Sequence, residues 1–251
     1  PIVENYDLSS LHTMLSGAAP LDDELGKAVA KRLNLHMLQG YGMSELSPVS
    51  HLIPFDSKAV LGLDEPPLSS VGWPIPNSEN KIVDPATGEE VAASGDGMSE
   101  PGELWVRGPN VMLGYLNNEQ ATTDTIDADG FLHTGDMAQV DAAGAVYIVD
   151  RLKELIKYKG YQVPPAELEA LLLTHPQIAD TAVVGVIDEE SGEEIPKAFV
   201  VKQADAALTE DEVMEFVAAK VAPHKKVRRV EFIDAIPKSS SGKILRKDLR
   251  K

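Results

Sequence analysis

The first 58 residues alternate apolar runs with one segment of helical spacing. Residues 11–15 form an apolar run, and residues 22–33 carry apolar side chains at every third or fourth position. A second apolar run at residues 35–38 leads into a glycine-containing loop. This order of strand, turn, helix and strand predicts an α/β unit.

Residues 59–149 change to short apolar runs separated by turn residues. Four of these runs predict strands at residues 81–83, 103–106, 137–140 and 145–149. Their spacing, with Gly, Pro, Asn and Asp between them, favours a small β barrel or sandwich. Residues 94–100 are rich in glycine and polar side chains, which predicts an exposed, mobile loop.

From about residue 150 onward, helical and strand patterns are mixed. Residues 165–174 predict a helix whose first turn contains Pro165, where the missing N–H of proline does no harm. Thr209 and Glu212 form a capping-box pattern that predicts a helix through Val221. Three further apolar runs predict strands at residues 181–187, 197–201 and 230–233. Together these elements predict a separate α+β domain of about 100 residues.

The composition narrows the classes of partner. The chain has 23 Lys and Arg against 40 Asp and Glu, a formal net charge of −17. This balance argues against nucleic acid or a membrane surface as a partner. Cysteine is absent, which excludes disulfides, thiolate metal sites and cysteine nucleophiles and suits a cytoplasmic protein. The sequence makes no prediction of the oligomeric state.

Against this acidic background, residues 150–162 concentrate four cations between an apolar strand and an apolar helix. They are Arg151, Lys153, Lys157 and Lys159. Cations gathered on a connector suggest an anionic ligand, and a connector between domains suggests that one of the domains moves. A second basic concentration at residues 220–251 is either a solvated helix and tail or a positive face for a polyanionic small molecule.

Two short motifs are candidate nucleotide sites. In residues 39–45, Tyr41 offers a flat face to a base, Ser44 a hydroxyl to a phosphate, and Glu45 an oxygen ligand to Mg²⁺. In residues 129–136, Asp136 has the acceptors needed by both hydroxyls of a ribose. Taken alone, each motif is more typical of a tight structural turn.

A third motif, at residues 237–246, is a flexible polar loop in which Lys243 precedes an apolar pair. It lacks the spacing of a phosphate-binding P-loop. A lysine on such a loop could swing onto a developing negative charge, and the alternative is a C-terminal linker.

Taken together and in this order, the motifs resemble the adenylate-forming superfamily. That superfamily includes acyl-CoA synthetases, 4-coumarate:CoA ligases, firefly luciferases and peptide-synthetase adenylation domains. Residues 150–162, followed by Pro-Pro-Ala-Glu-Leu-Glu at 164–169, are most similar to the 4-coumarate:CoA ligase and luciferase branch. The resemblance covers essentially all 251 residues.

The resemblance implies three parts in the chain. Residues 1–58 would be the C-terminal part of a large α/β adenylation domain, and residues 59–149 a β-barrel subdomain. Residues 150–251 would be a mobile α+β lid with its hinge near 151–153.

The resemblance also implies a site for ATP or AMP. Tyr41 would stack on adenine, Ser44 would bind the α-phosphate, and Glu45 would hold Mg²⁺. Asp136 would bind the ribose hydroxyls with help from Arg151. Three further positions match the nucleotide loop, namely Gln39, Gly40 and Gly42. Three others match the acyl pocket, namely Ala18, Pro48 and Val49.

The lid residues are implied to act in two successive steps. With Lys153 as the pivot, Lys243 would approach the carboxylate and the α-phosphate during adenylation. After the lid rotates, Lys157 and Gln162 would face the adenylate. Lys159 and Gly160 would then help to seat CoA.

The implied reaction is an ATP-dependent carboxylate:CoA ligation with a hydroxycinnamate-like or fatty-acid-like acid. The Gly/Ser/Thr-rich phosphate loop of the superfamily is absent from these residues, so we expect a C-terminal portion that is inactive alone. Two alternatives stay open. One is a non-catalytic nucleotide- or CoA-binding module, and the other is an adenylation domain that delivers its product to a carrier protein.

Overall fold

The fold was obtained as a computed structural model, which describes residues 2–17, 21, 23–62, 66–93, 95, 97–240 and 242–250. The chain divides into two compact units, Pro1–Ile148 and Val149–Lys251. The three-part division at residues 58 and 149 stays a prediction. Among the described residues, no helix has both the length and the apolar character needed to cross a bilayer.

In the N-terminal half of the first unit, the residues that the structure describes form four strands and two α-helices. In chain order they are β1 (Thr13–Ser16), α1 (Asp23–Leu33), β2 (His36–Gly42), β3 (Val49–Leu52), α2 (Ser57–Leu61) and β4 (Trp73–Pro74). The strands form one sheet in the order β1-β2-β3-β4. Strand β1 pairs parallel with β2, while β3 runs antiparallel to both β2 and β4. Helices alternating with strands of a mixed sheet confirm the α/β prediction.

The rest of the first unit is built on a second sheet. Its elements are β5 (Glu79–Val83), β6 (Glu90–Val91), β7 (Gly102–Arg107), α3 (Glu119–Thr125), β8 (Leu132–Val140) and the first half of β9 (Val146–Arg151), a strand that continues past the division after Ile148. The strand order is β6-β5-β7-β8-β9. Alternate residues of β7 are buried, and they contribute Leu104 and Val106 to the core of this half.

The second unit packs helices on a small mixed sheet. Its elements are β10 (Ile156–Tyr158), β11 (Tyr161–Val163), α4 (Pro165–Leu173), β12 (Ile178–Ile187), β13 (Glu194–Lys202), α5 (Glu210–Ala218), β14 (Arg229–Phe232) and α6 (Arg246–Leu249). Strand β13 pairs antiparallel with β12 and parallel with β14. Leu168 and Leu172 of α4 and Val213 of α5 are fully buried in one core with strand residues, and each is worth about 1.5–3 kcal/mol relative to exposure.

Several boundaries differ from the sequence prediction. Strand β2 continues to Gly42, because residues 40–42 pair with β3, so the predicted glycine-containing loop is the end of a strand. The predicted helix through Val221 ends at Ala218, although its capping box is present. In the predicted loop 94–100, Ser99 is 3% exposed and its hydroxyl accepts a hydrogen bond from the Val140 backbone N–H; residues 94 and 96 lie outside the described residues.

Candidate functional site

The end of strand β2 is shaped by the close approach of another backbone segment. A Cβ added to Gly42 would overlap the carbonyl group of Pro48 and lie 2.9 Å from the Cα of Val49. The N–H of Met43 donates to the carbonyl oxygen of Pro48 at 2.8 Å. Only glycine fits at position 42, and this contact brings Pro48 and Val49 next to the Tyr41 segment.

Tyr41 and Asp136 come from different sheets and meet directly. The Tyr41 hydroxyl lies 2.6 Å from Oδ2 of Asp136, although the two residues are 95 positions apart in the chain. Gly135, which precedes Asp136, has a φ of +70°, a conformation that favours glycine. Its N–H donates to Oε1 of Glu103 at 2.9 Å, and the Asp136 N–H donates to Oγ1 of Thr134. The motif therefore begins in the turn before β8 and continues into that strand from Leu132, where local bonds present the Asp136 carboxylate to Tyr41.

Ser44 and Glu45 lie on a short 3₁₀ helix, Ser44–Leu46, immediately after β2. Ser44 is exposed, so its hydroxyl is accessible. The Tyr115 hydroxyl donates to Oε1 of Glu45 at 2.9 Å, and the Met112 N–H donates to the Glu45 carbonyl oxygen at 2.8 Å. Burial and the neighbouring Glu45 raise the pKa of Tyr115, so that hydroxyl keeps its proton and remains a donor.

Glu45 is suited to a magnesium ion that is shared with a phosphate. Its Oε2 accepts no hydrogen bond from any described residue. Within the described ranges, no group of three His, Asp or Glu side chains could hold a metal by itself. Mg²⁺ is usually bound by one or two carboxylates together with phosphate oxygens and waters, so a single positioned carboxylate fits that ion.

Gln39 has a supporting position in this unit. Its side chain is 1% exposed and hydrogen-bonds to backbone groups of Leu21 and Leu68. Gly40 leaves room for the backbone of His51, whose carbonyl oxygen would lie 3.1 Å from an added Cβ. Ala18, predicted in the acyl pocket, lies outside the described residues.

His51 is a buried residue that the sequence analysis did not single out. Its ring centroid lies 6.1 Å from that of Tyr41, and its Nδ1 is 2.9 Å from the Ser50 hydroxyl. Burial lowers the pKa of His51 to about 4, so the ring is neutral at pH 7. An isolated histidine in an apolar run has no sequence signal that would distinguish it from a core residue.

In the second unit, the cationic connector contains a β-hairpin. Lys157 of β10 and Gln162 of β11 are directly opposite cross-strand partners, and both are exposed. Side chains of directly paired residues share one face of a hairpin. Lys159 and Gly160 form its two-residue turn with φ values of +48° and +82°, as a type I′ turn requires. The structure thus places Lys157, Gln162, Lys159 and Gly160 on one small element.

The start of the second unit is fixed by Asp150. Its Oδ1 accepts from the Arg151 N–H at 2.7 Å, and its Oδ2 accepts from the Ala166 N–H at the start of α4 at 2.8 Å. Burial raises the pKa of Asp150. Lys153 is exposed on the following 3₁₀ helix, Leu152–Glu154. Asp150 therefore ties the segment before Lys153 to α4.

Lys243 is exposed on a hydrogen-bonded turn. The Ser239 N–H donates to the Lys243 carbonyl oxygen at 2.9 Å, the Lys243 N–H donates to Oγ of Ser239 at 3.2 Å, and Lys238 pairs with Ile244. Three residues later, Arg246 makes a bidentate ion pair with Glu169 of α4, at 2.8 and 2.7 Å. The predicted polar loop is therefore closed by its own bonds and attached to the unit through Arg246; Ser241 lies outside the described residues.

Comparison with known proteins identifies the family of this chain. Residues 2–116 match the family model of the AMP-binding enzyme, and residues 167–243 match that of the AMP-binding enzyme C-terminal domain. The segment between the two matches, residues 117–166, contains the cationic connector at residues 150–162. The chain belongs to the AMP-binding, or adenylate-forming, enzyme family.

Particular relatives place the chain near one branch of that family. It is 50% identical over 257 aligned residues to 4-coumarate–CoA ligase 1 from Solanum tuberosum, an alignment that covers 100% of this chain and 44% of that protein. The 4-coumarate–CoA ligase 2 of Oryza sativa is 51% identical, with 100% and 42% covered. The chain thus spans less than half the length of the curated relatives that it matches.

A solved structure shares the fold at lower identity. ATP-bound MatB from Rhodopseudomonas palustris is 30% identical with a TM-score of 0.83, and the match covers 94% of this chain and 44% of that one. Its fold is therefore shared by nearly the whole of the present chain.

Proposed function

We propose that this chain is the C-terminal portion of an ATP-dependent carboxylate:CoA ligase that forms an acyl-adenylate and then an acyl-CoA thioester. The observation that carries the proposal is the 2.6 Å hydrogen bond between Tyr41 and Asp136. It unites two motifs that are individually ambiguous, one suited to a base and the other to a ribose. A nucleoside site needs a group for the base beside a group for the ribose, and this hydrogen bond places Tyr41 beside Asp136.

In the first half-reaction, a carboxylate attacks the α-phosphate of ATP. Asp136 holds the ribose hydroxyls with help from Arg151, Tyr41 lies against the adenine, and the exposed Ser44 hydroxyl contacts the phosphate. Lys243 offsets the negative charge of the two approaching anions. We assign Gln39 and Gly40 to the nucleotide loop, and Pro48 and Val49 to the acyl pocket.

Glu45 would hold the magnesium ion, with Tyr115 fixing the carboxylate through its hydroxyl. When bound, the ion supplies charge neutralisation on the phosphate oxygens. This assignment rests on the single positioned carboxylate and on the accessible Ser44 beside it.

In the second half-reaction, the CoA thiol attacks the acyl carbonyl of the adenylate and AMP leaves. Lys157 and Gln162 face the adenylate as a cross-strand pair, and Lys159 and Gly160 at the hairpin tip seat CoA. The exposed cations suit a polyanionic co-substrate. Exchange of the two lysine-bearing elements requires a mobile lid pivoting at Lys153. We also propose that the second sheet of the first unit forms a small barrel.

The acid is proposed to be hydroxycinnamate-like, on the strength of the sequence similarity to 4-coumarate–CoA ligases. The structure of the succinylbenzoate CoA synthetase MenE from Bacillus subtilis in complex with an acyl-adenylate is also similar, at 28% identity and a TM-score of 0.82 over 100% of this chain and 48% of that one. That relative carries an aromatic acid as its adenylate.

The test is product analysis with the complete gene product that carries this chain. It is incubated with ATP, Mg²⁺, CoA and a panel of aromatic and aliphatic acids, and AMP and acyl-CoA are quantified. Stoichiometric AMP and thioester with a hydroxycinnamate is the expected result, and the 251-residue chain alone should give neither. Binding of AMP or CoA without any turnover would support a binding module. Formation of acyl-adenylate and pyrophosphate, with neither AMP nor a thioester produced from CoA, would support a carrier-protein acceptor.

A further inference from the structure

One edge of the β10–β11 hairpin is held by two consecutive carboxylates. The Lys157 N–H donates to Oε2 of Glu194 at 2.7 Å, and the Lys159 N–H donates to Oε2 of Glu193 at 3.2 Å. Lys157 lies on β10 and Lys159 on the adjoining turn, and their N–H groups donate to two neighbouring glutamates. Among the described residues, β10 pairs with no strand other than β11, so the carboxylates occupy the edge that a further strand would otherwise pair with.

The Glu194 side chain lies in a slot that exists only because residue 185 is glycine. A Cβ added to Gly185 would lie 2.6 Å from Cδ and 2.9 Å from Cγ of Glu194 and would overlap Oε1. The backbone of Gly185 is a regular part of strand β12, paired with Pro196. The glycine is therefore explained by the neighbouring carboxylate, since its own conformation is open to other residues.

The turn that leads into Glu193 is itself well anchored. The Asp188 N–H donates to the Glu193 carbonyl oxygen at 2.8 Å, and Arg229 of β14 donates to Oδ1 of Asp188 at 2.7 Å. Ser191 donates to Oδ2 of Asp188 through its hydroxyl at 2.8 Å. The two carboxylates thus extend from a fixed turn toward the hairpin.

We infer that Glu194, seated in the slot over Gly185 and assisted by Glu193, is a positioning residue for the thioester-forming step. It acts by holding the backbone of Lys157, and hence the Lys157–Gln162 pair, in place on the second unit. This inference rests on the proposed function. Glu194 contacts neither substrate nor CoA in this scheme, and its effect on the reaction passes through the hairpin alone.

The carboxylate geometry defines a set of variants. Glu194→Ala removes the acceptor, whereas Glu194→Gln keeps an oxygen that can accept from the Lys157 N–H. Gly185→Ala leaves Glu194 intact but displaces its carboxylate. Glu190→Ala is the matched control, because it removes one negative charge from the same turn at an exposed side chain for which no bond is observed.

The first readout is hydrogen exchange of the Lys157 and Lys159 amides in the 251-residue chain, measured by NMR. We expect exchange at Lys157 to rise at least about tenfold in Glu194→Ala and Gly185→Ala, in line with loss of a hydrogen bond to a charged group. It should stay near the wild-type rate in Glu194→Gln and Glu190→Ala. Glu193→Ala should expose Lys159 alone, which provides a milder variant if the others fail to fold.

The second readout separates the half-reactions in the complete gene product. Glu194→Ala and Gly185→Ala should slow thioester formation from supplied acyl-adenylate by about tenfold and leave ATP–pyrophosphate exchange within about twofold, with Glu194→Gln restoring the rate. Equal losses in both half-reactions, or unchanged exchange at Lys157, would overturn the inference. A wild-type protein that makes no acyl-CoA would instead refute the proposed function, and the amide exchange would still test the positioning.

Discussion

Replacing Arg246 by methionine should destabilise the second unit far more than the loss of an ordinary surface charge. Arg246 and Glu169 form a bidentate pair whose side chains are only 16% and 11% exposed. Glu169 also accepts from the Val183 N–H at 2.8 Å. In Arg246→Met, the buried carboxylate keeps that one donor and loses its counter-charge. Breaking a buried pair in this way costs about 3–5 kcal/mol.

Two further variants sharpen the comparison. Lys225 pairs with Glu167 on the same helix, with side chains 28% and 45% exposed, so Lys225→Met should cost less than about 1 kcal/mol. The double variant Arg246→Met with Glu169→Leu should be more stable than Arg246→Met, because no unpaired buried charge remains and only the uncharged Val183 N–H loses its acceptor.

The assay must report on the correct unit. Both tryptophans, Trp73 and Trp105, lie in the first unit, so their fluorescence would not follow this change. Native-state hydrogen exchange at buried amides of the β12–β13 ladder, such as those of Ala182 and Phe199, measures the opening free energy of the second unit in all of these variants. A loss in Arg246→Met no larger than in Lys225→Met, or a double variant as unstable as the single one, would refute the reasoning.

The destabilisation caused by Arg246→Met should depend on pH, and its direction follows from the pKa of Glu169. Burial raises the pKa of Glu169 in the folded unit, opposed by Arg246. Without Arg246 the folded-state pKa rises further, so the folded unit binds a proton at pH values where the unfolded chain does not. The penalty in Arg246→Met is therefore largest at neutral pH and shrinks as the pH falls toward the ordinary carboxyl range, where Glu169 is neutral in both states.

Three further outcomes are expected. Tyr41→Phe removes the donor to Asp136 and should raise KM for ATP about tenfold with little change in the unfolding free energy, measured by steady-state kinetics; an unchanged KM would contradict the nucleoside assignment. The folded-state pKa of His51 is about 4, against 6.5 for the free side chain. The unfolding free energy of the first unit should therefore fall by about 3 kcal/mol between pH 6.5 and pH 4. Urea denaturation monitored by Trp fluorescence measures this loss, which should be absent in His51→Gln. Lys159→Asn should stabilise the left-handed turn position by up to about 1 kcal/mol while weakening CoA binding, a trade-off that calorimetry with CoA and amide exchange in the hairpin would detect.

Local patterns predicted the elements whose signals lie within a few residues. The Thr209 and Glu212 capping box is present, with the Thr209 N–H donating to Glu212 at 2.9 Å and the Glu212 N–H to Thr209 at 3.3 Å. Pro165 occupies the first turn of α4. The capping box satisfies free backbone N–H groups at the start of its helix, and the proline removes one such group, so in both cases the physical cause is contained in the segment itself.

Elements that depend on distant partners were missed or shortened. Strands β10 and β11 are three residues each, too short to show an alternating pattern, and their edge is held by carboxylates more than thirty positions away. Residues 40–42 are extended because β3 pairs with them, although glycines in sequence indicate a loop. A short strand made by pairing carries little periodicity of its own.

The candidate site shows the same difference between features with a local signal and features that depend on distant residues. The motif residues were identified from the family resemblance, whereas their supports were not. Tyr115 meets Glu45 across 70 positions, and Arg246 meets Glu169 across 77. Such long-range polar contacts leave no spacing rule in a single sequence. They become visible only when the fold brings the side chains together.

The central claim is that two lysines on separate elements of the second unit serve two different steps. The most direct test measures both half-reactions in Lys243→Ala and Lys157→Ala of the complete gene product, using ATP–pyrophosphate exchange and thioester formation from supplied acyl-adenylate. Lys243→Ala should slow adenylation far more than thioester formation, and Lys157→Ala should show the opposite bias. Equal losses in both steps for both variants would contradict the claim.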